Sequence, residues 1–459
     1  MHRRPDHPPP SRRAFLDATG AAVAAGVLAG CSGDPGGAGD SGDSGDSGGS
    51  GGSGGSARPG RPDASASAAP APAPVAVTGR YQAGVTLPRI AQTHLLALVA
   101  DLDTGVAPGP LLAELGEAIR SIAAGSDPRL LGLSPGDVTV TVGVGPRLVR
   151  MAGGAAGAGS AGADGAPSGG GTPSGAAGSA DEASSGTAPS GTAPSGTAQS
   201  GTAALPGATD LPRFSRERIA AGARGGDLLL QICAGDALLV PVVAAALLDQ
   251  AGDRVRERWR QFGRRGTEVP VAEGRSAPRN LLGFIDGIVG PNTAAEQERD
   301  LWLAGPPAVA GGTLAVLRRM ELDLTRFAAL SVAEQEAVFG RRRASGVPLS
   351  GGGIASAPGL GAKTPDGRYL VPVDAHVRRA NPNVVGVGHM LRRSYSIDDP
   401  APGLLFISFQ NDLRTFTATL SRMDASDALL PFTTTTASAS FLILPGYDRG
   451  RPLGASLFG

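Results

Sequence analysis

Apolar residues along this chain come in short runs of strand length, and between the runs they shift to helical spacing. Leu95 to Leu102 (LLALVADL) is a continuous apolar run and Asp137 to Val144 (DVTVTVGV) alternates, the two patterns that predict strands. Between them, Leu111 to Ala124 (LLAELGEAIRSIAA) sets Leu112, Leu115, Ile119 and Ile122 on one face of a predicted helix. Further strands are predicted at Gly226 to Ile232 (GDLLLQI), Gly312 to Arg318 (GTLAVLR), Gly403 to Gln410 (GLLFISFQ) and Ser440 to Leu444 (SFLIL). Helical stretches are predicted at Leu238 to Phe262, carrying Trp259, and at Val332 to Phe339. Both halves alternate strands and helices without the Gly-rich phosphate loop of a dinucleotide fold, so the pattern predicts an α+β protein made of two similar sandwiches.

Composition marks what lies outside these elements. Of 459 residues, 71 are Gly and 38 are Pro, concentrated in two tracts. Residues 32–78 contain GDSGDSGDSGGSGGSGGS and an Ala/Pro run that cannot bury enough apolar surface to order itself, and are expected to be a disordered linker. Residues 152–204, with SGTA units at Ser185, Ser190, Ser195 and Ser200, are expected to be a disordered insert at a surface tip. This leaves an N-terminal domain at 79–265 and a C-terminal domain at 266–459, joined near Val269. Lys and Arg (41) balance Asp and Glu (41), which gives no basic footprint for nucleic acid.

Residues 1–31 have the form of an export signal. Ser11-Arg12-Arg13-Ala14-Phe15-Leu16 is a twin-arginine pattern, and Ala18 to Gly30 is a weakly hydrophobic segment too short and too rich in Ala and Gly to span a bilayer. Leu28-Ala29-Gly30-Cys31 has the form of a lipobox, predicting a lipid anchor on Cys31; the alternative is a chance cysteine in a signal cleaved elsewhere. The twin-arginine route carries folded proteins, often with a prosthetic group already inserted. Cys233 is the one other cysteine, so no disulfide framework is available and a buried small hydrophobe is expected there.

One carboxylate stands out. Asp286 lies in PRNLLGFIDGIVGPN, a run apolar enough to be buried, where an unpaired charge is costly. By itself Asp-Gly is a turn signal. His94, His376 and His389 are the histidines outside the signal.

Seven stretches, in order, carry a resemblance: QAGVTLP at Gln82, GGDLLLQICAGD at Gly225, RNLLGFIDG at Arg279, EQEAVFGRRRASGVPL at Glu334, DAHVRRANP at Asp374, MLRRSYSID at Met390 and GLLFISFQNDL at Gly403. The chain resembles the dye-decolourising haem peroxidases over Tyr81 to Leu453 apart from the insert, most closely the exported branch that includes deferrochelatase/peroxidase proteins. The resemblance implies tandem ferredoxin-like domains with antiparallel sheets and peripheral helices, and one haem b held mainly by the C-terminal domain. It implies that H2O2 oxidises dyes, phenols or similar reductants through a ferryl intermediate, and that the chain self-associates. It places the axial iron ligand at His376, the distal acid at Asp286 between Gly283 and Gly287 of the haem wall, and the distal arginine at Arg392. Ile285 stands where the family often has Lys, and the segment from His376 to Arg392 is about two residues shorter than usual, which leaves Arg393 as the neighbouring alternative. Asp427, with Asp424 close by, is the expected partner of the histidine. Arg341 is expected at a haem propionate or else at a solvated helix end. Phe406 and Leu404 are expected in the distal pocket or in the core. Trp302 and Tyr395 are electron-relay candidates or plain packing. A second function, haem deferrochelation or assistance to iron uptake at the envelope, uses the same pocket.

Overall fold

The computed structural model describes residues 73–159 and 204–459. The expected signal, the lipobox, most of the linker and residues 160–203 of the expected insert lie outside the described residues. The elements are, in order, β1 (His94–Leu102), α1 (Pro108–Ala123), β2 (Thr139–Val144), α2 (Pro146–Gly159), β3 (Leu228–Ala234), α3 (Leu239–Ala251) and β4 (Val255–Arg264). A hairpin of β5 (Glu268–Ala272) and β6 (Arg275–Pro278) follows, then α4 (Ala294–Asp300), β7 (Thr313–Leu322), α5 (Leu324–Ala328), α6 (Val332–Phe339), α7 (His376–Arg379) and α8 (Pro382–Val385). The chain continues with β8 (Leu391–Arg392), β9 (Tyr395–Ile397), β10 (Gly403–Gln410), α9 (Leu413–Ser426) and β11 (Thr433–Ile443).

Strand order explains the architecture. One nine-stranded sheet runs β7-β11-β2-β3-β1-β4-β9-β10-β8, and an additional β7–β10 pairing completes a circuit. Within it, β2-β3-β1-β4 and β11-β7-β10-β9 are two four-stranded pieces with the same antiparallel, ferredoxin-like order. The pieces meet at narrow seams, Leu442↔Val144 and Ile443↔Gly143 on one side and Arg264↔Ser396 on the other.

The period of two along the strands sorts side chains between cores. In β1, Leu96, Leu98 and Ala100 join α1 and α3 in one cluster, while Leu95, Ala97 and Val99 join Leu317, Ile407, Phe409 and Phe441 in a second, shared by both halves. Both faces of β1 are therefore buried, which is why it presents an unbroken apolar run. Strand β10 differs: Leu405, Ile407 and Phe409 enter the shared core, whereas Leu404 and Phe406 stay half-buried on the other face.

Four expectations change. The helix expected at Leu238 to Phe262 ends at Ala251, where Gly252 adopts φ +56, and Trp259 belongs to β4, paired with Val99. Alternating exposure from Arg258 to Arg264 is the strand signal that the preceding apolar helix obscured. Helix α2 runs through Gly159, so the first eight residues of the expected insert are helical, in keeping with the high helix propensity of Ala. Strand β11 starts at Thr433 rather than Ser440; its β-branched Thr run is polar but strand-forming. The expected join near Val269 is itself the β5–β6 hairpin.

Candidate active site

Local chemistry in PRNLLGFIDG decides where Asp286 points. Asn280 folds the turn: its side-chain oxygen accepts from the N–H groups of Leu282 (3.1 Å) and Phe284 (3.2 Å). Gly283 at φ +82 and Gly287 at φ +80 occupy the left-handed region that the turns require. Phe284 stacks on Phe339 at 3.8 Å in one aromatic cluster, and Ile285 packs with Val271, Ala277 and Ile288 in another. Asp286, tied by its N–H to Pro278 O (2.9 Å), is left between the two clusters with its side chain 27% exposed. The turn reading holds: the glycines make the corner, and the carboxylate projects from it.

Arg392 arrives from β8, opposite Ser408 of β10, and its Nε lies 3.9 Å from Asp286 Oδ1. Arg393 does not reach this acid. It is buried and donates instead to Pro88 O at 2.7 Å, and burial lowers its pKa. At 28% and 27% exposure, the Arg392–Asp286 pair belongs with ion pairs worth about 0–1 kcal/mol to folding, so stability does not account for it.

His376 begins α7. Its Nδ1 lies 2.9 Å from Asp427 Oδ2, and the other carboxylate oxygen accepts from Leu429 N–H at 2.8 Å. Asp427 closes α9, its own N–H donating to Met423 O (2.8 Å), so the carboxylate is held from both sides. Helix α7 is fixed in turn by Arg378, which donates to the carbonyls of Leu360, Val371 and Pro372. Phe339 meets the imidazole edge-on at 5.9 Å. Burial alone pulls the His376 pKa down, but the charge and hydrogen bond of Asp427 outweigh it and hold the pKa above its ordinary value. The side chain is still 29% open. The charges of Arg392 and Asp286 both act on the imidazole, in opposite directions.

The remaining expected residues divide. Asp424 is engaged elsewhere, accepting from the N–H and hydroxyl of Ser215 (both 2.8 Å). Arg341 is buried, and its guanidinium donates to the carbonyls of Gly346 (2.7 Å), Ile354 (2.9 Å) and Ser356 (3.2 Å); burial first, then the charge of Arg392, lowers its pKa to about 10. Phe406 rests against Phe416 at 5.9 Å on the half-open face of β10. Tyr395 is buried in the shared core, its hydroxyl donating to Gln92 O at 3.0 Å, and Trp302 stacks on Tyr81 at 3.9 Å. His94 heads β1, and His389 lies between α8 and β8. Cys233 is buried in the same shared core as Tyr395. Phe339 was not anticipated; its position at the end of a short helix gives no hint that it meets the imidazole.

The donor set fits an axial haem ligand. With Nδ1 donating to Asp427, Nε2 is the lone-pair nitrogen. Among the described residues, no three His, Cys, Asp or Glu side chains gather as a bare ion requires, so iron here needs its other ligands from a macrocycle.

Comparison with known proteins bears on the family and the fold. The family "Dyp-type peroxidase, N-terminal" matches residues 199–265 and "Dyp-type peroxidase, C-terminal" matches residues 277–448. The chain is 34% identical over 267 residues to "Dye-decolorizing peroxidase" of Thermobifida fusca (strain YX), covering 54% of this chain and 61% of that protein. It is 31% identical over 263 residues to "Deferrochelatase" of Yersinia pestis, covering 54% and 60%. It thus spans about three fifths of the length of these curated relatives. Among solved structures, a DyP-type peroxidase from Streptomyces coelicolor matches with a TM-score of 0.68 at 26% identity, over 84% of this chain and 98% of that one. One from Cellulomonas bogoriensis matches at 0.66 and 26%, over 85% and 99%. The two family matches, side by side and in order over more than half of the chain, together with a fold shared along nearly the whole of these solved structures, make the chain a member of the Dyp-type peroxidase family.

Proposed function

We propose that the protein is an exported haem peroxidase that uses hydrogen peroxide to oxidise dyes, phenols or similar reductants. The observation that carries this reading is His376, with Nδ1 tied to Asp427, within reach of the charges of the Arg392–Asp286 pair. His376 Nε2 would hold one haem b per chain, which would supply redox-active iron for the cleavage of peroxide. Asp427 fixes the imidazole tautomer and makes Nε2 a stronger donor. Asp286 moves the proton: its carboxylate accepts one from hydrogen peroxide and returns it to the oxygen that departs as water. Arg392 holds a fixed positive charge beside the O–O bond as it polarises, and its guanidinium cannot take the proton instead. Phe406 and Leu404 keep one wall of the cavity apolar.

A second reading is haem deferrochelation, favoured by the 31% identity to a protein named deferrochelatase. It uses the same cavity. Turnover of an anthraquinone dye with peroxide, set against release of iron from bound haem, separates the two; a protein that releases iron and oxidises no dye overturns the peroxidase reading. The twin-arginine segment and Cys31 support export in folded form and attachment to the envelope by a lipid.

A further inference from the structure

Next to Asp286, on the side of the β5–β6 hairpin, lies a cavity of about 260 Å³ whose charges do not balance. Five arginines line it, Arg89, Arg265, Arg275, Arg392 and Arg393, against a single acid, Asp286. Arg265 is paired with Glu268 at 2.9 Å and Arg392 faces Asp286. Arg275 gives one hydrogen bond to Ile288 O (2.6 Å) and Arg393 one to Pro88 O (2.7 Å). Among the described residues, neither they nor Arg89 has a carboxylate within 4 Å. Arg393 is 6% exposed, and its Nε has no partner; Ser394, 9% exposed, has an unpartnered hydroxyl in the same wall. Burying a guanidinium without a counter-charge is expensive, and so is burying polar atoms without hydrogen bonds. An anion in the cavity supplies the counter-charge that its arginines lack.

The walls define the anion further. Leu87 and Ile90, 56% and 53% exposed, put apolar surface at the rim, which an inorganic oxyanion does not use. A guanidinium fork matches a carboxylate in plane and spacing. The volume falls below the range of about 300–1,000 Å³ typical of drug-sized ligands, so the occupant is small. We infer that this cavity is a binding site for a small organic carboxylate, with its charged end toward Arg275 and Arg89 and its apolar body against Leu87 and Ile90. The inference deepens the proposed peroxidase site, since Asp286 and Arg392 form the shared wall.

Calorimetric titration of benzoate into the haem-loaded protein tests it, with benzyl alcohol and inorganic phosphate as comparison probes and the Soret band followed in parallel. Benzoate is expected to bind once per chain, about tenfold or more tighter than benzyl alcohol, the worth of one charge-assisted hydrogen bond. It should also bind more tightly than phosphate and leave the Soret band unmoved. Arg275→Gln should weaken benzoate by a similar factor; Arg89→Gln, on an exposed segment where folding is not in question, should weaken it as well. No binding, equal affinity for benzyl alcohol, phosphate binding as tight as benzoate, a Soret shift that marks ligation of iron, or unchanged affinity in both variants each overturns the inference. Failure of the peroxidase reading shows separately, as absence of haem or of peroxide turnover in the unmodified protein.

Discussion

Asp427→Asn tests the link between the end of α9 and the iron side of the cavity. The wild-type carboxylate is fully buried and uses both oxygens, Oδ2 on His376 Nδ1 (2.9 Å) and Oδ1 on Leu429 N–H (2.8 Å). An amide has one oxygen and cannot serve both. If that oxygen stays on Leu429, the NH2 group faces Nδ1 and forces the imidazole proton onto Nε2, the ligating nitrogen. If the amide flips, the Leu429 N–H is left buried against another donor. The first outcome weakens haem: substitutions behind a metal-ligating histidine typically cost about 10–100-fold in affinity, or roughly 1.4–2.8 kcal/mol. That agrees with about 1.5–3 kcal/mol for a hydrogen bond to a charged group. The second outcome keeps haem but costs about 1–3 kcal/mol of stability for the orphaned donor. Titration of haem into the haem-free variant, read at the Soret band, and thermal unfolding of the same sample measure the two together. A variant with wild-type haem affinity and a wild-type unfolding midpoint would refute the assignment of Asp427.

Five further substitutions probe the rest. Asp286→Asn and Arg392→Leu should retain haem, and at least one should slow the spectral reaction with H2O2 in stopped flow by about 10²-fold, with Arg392→Leu the favoured one; wild-type rates in both eliminate this distal pair. Arg341→Met leaves three carbonyls without their donor and should lower unfolding free energy by more than about 2 kcal/mol in urea, whereas selective loss of haem from an otherwise stable protein would support the propionate role. Gly340→Ala places a Cβ 2.6 Å from Val377 Cγ2 at φ +85 and should cost about 2 kcal/mol or more while disturbing the neighbouring His376. Cys31→Ser should abolish palmitate labelling and membrane association in a native-like host, and an unlabelled wild type found in the medium would mark the lipobox as coincidental.

Elements whose ends carry their own chemistry were legible from the sequence. Helix α6 spans Val332–Phe339 as expected because Ser331 and Glu334 form a capping box at its start and Gly340 at φ +85 ends it. Strand β10 matches its expected range because the loops on either side stop it and its inner face is wholly apolar. Legibility failed where one element's pattern ran into the next. The apolar helix α3 and the arginine-rich strand β4 are separated by Gly252 and two further residues, and the helical period was carried across them to Trp259. Strand β11 was shortened because four threonines look like a loop by polarity, although pairing of Thr433 with Leu322 and Thr434 with Glu321 commits them to the sheet.

The site shows the same division between local and distant information. GFIDG and HVRRANP are each folded by their own residues: Asn280 builds one turn, and Asn381 accepts from Asn383 N–H (3.0 Å) to start the helix after His376. Such stretches announce themselves. The partnership of His376 with Asp427 crosses 51 residues and depends on where α9 ends, which is why Asp424, three residues earlier, stays close behind Asp427 in the sequence; the helix sets Asp424 against Ser215. Arg341 shows the opposite hazard. An arginine next to a helix end has five donors to place, and the loop from Gly346 to Ser356 offers carbonyls that no pattern of residue types reveals. The unbalanced cavity beyond Asp286 is the furthest case: Arg89, Arg275 and Arg393 come from three separate segments, and a formal charge of zero over the whole chain hides the local excess. Net charge constrains what the surface as a whole attracts, but a binding site depends on which charges the fold brings together and leaves without a partner.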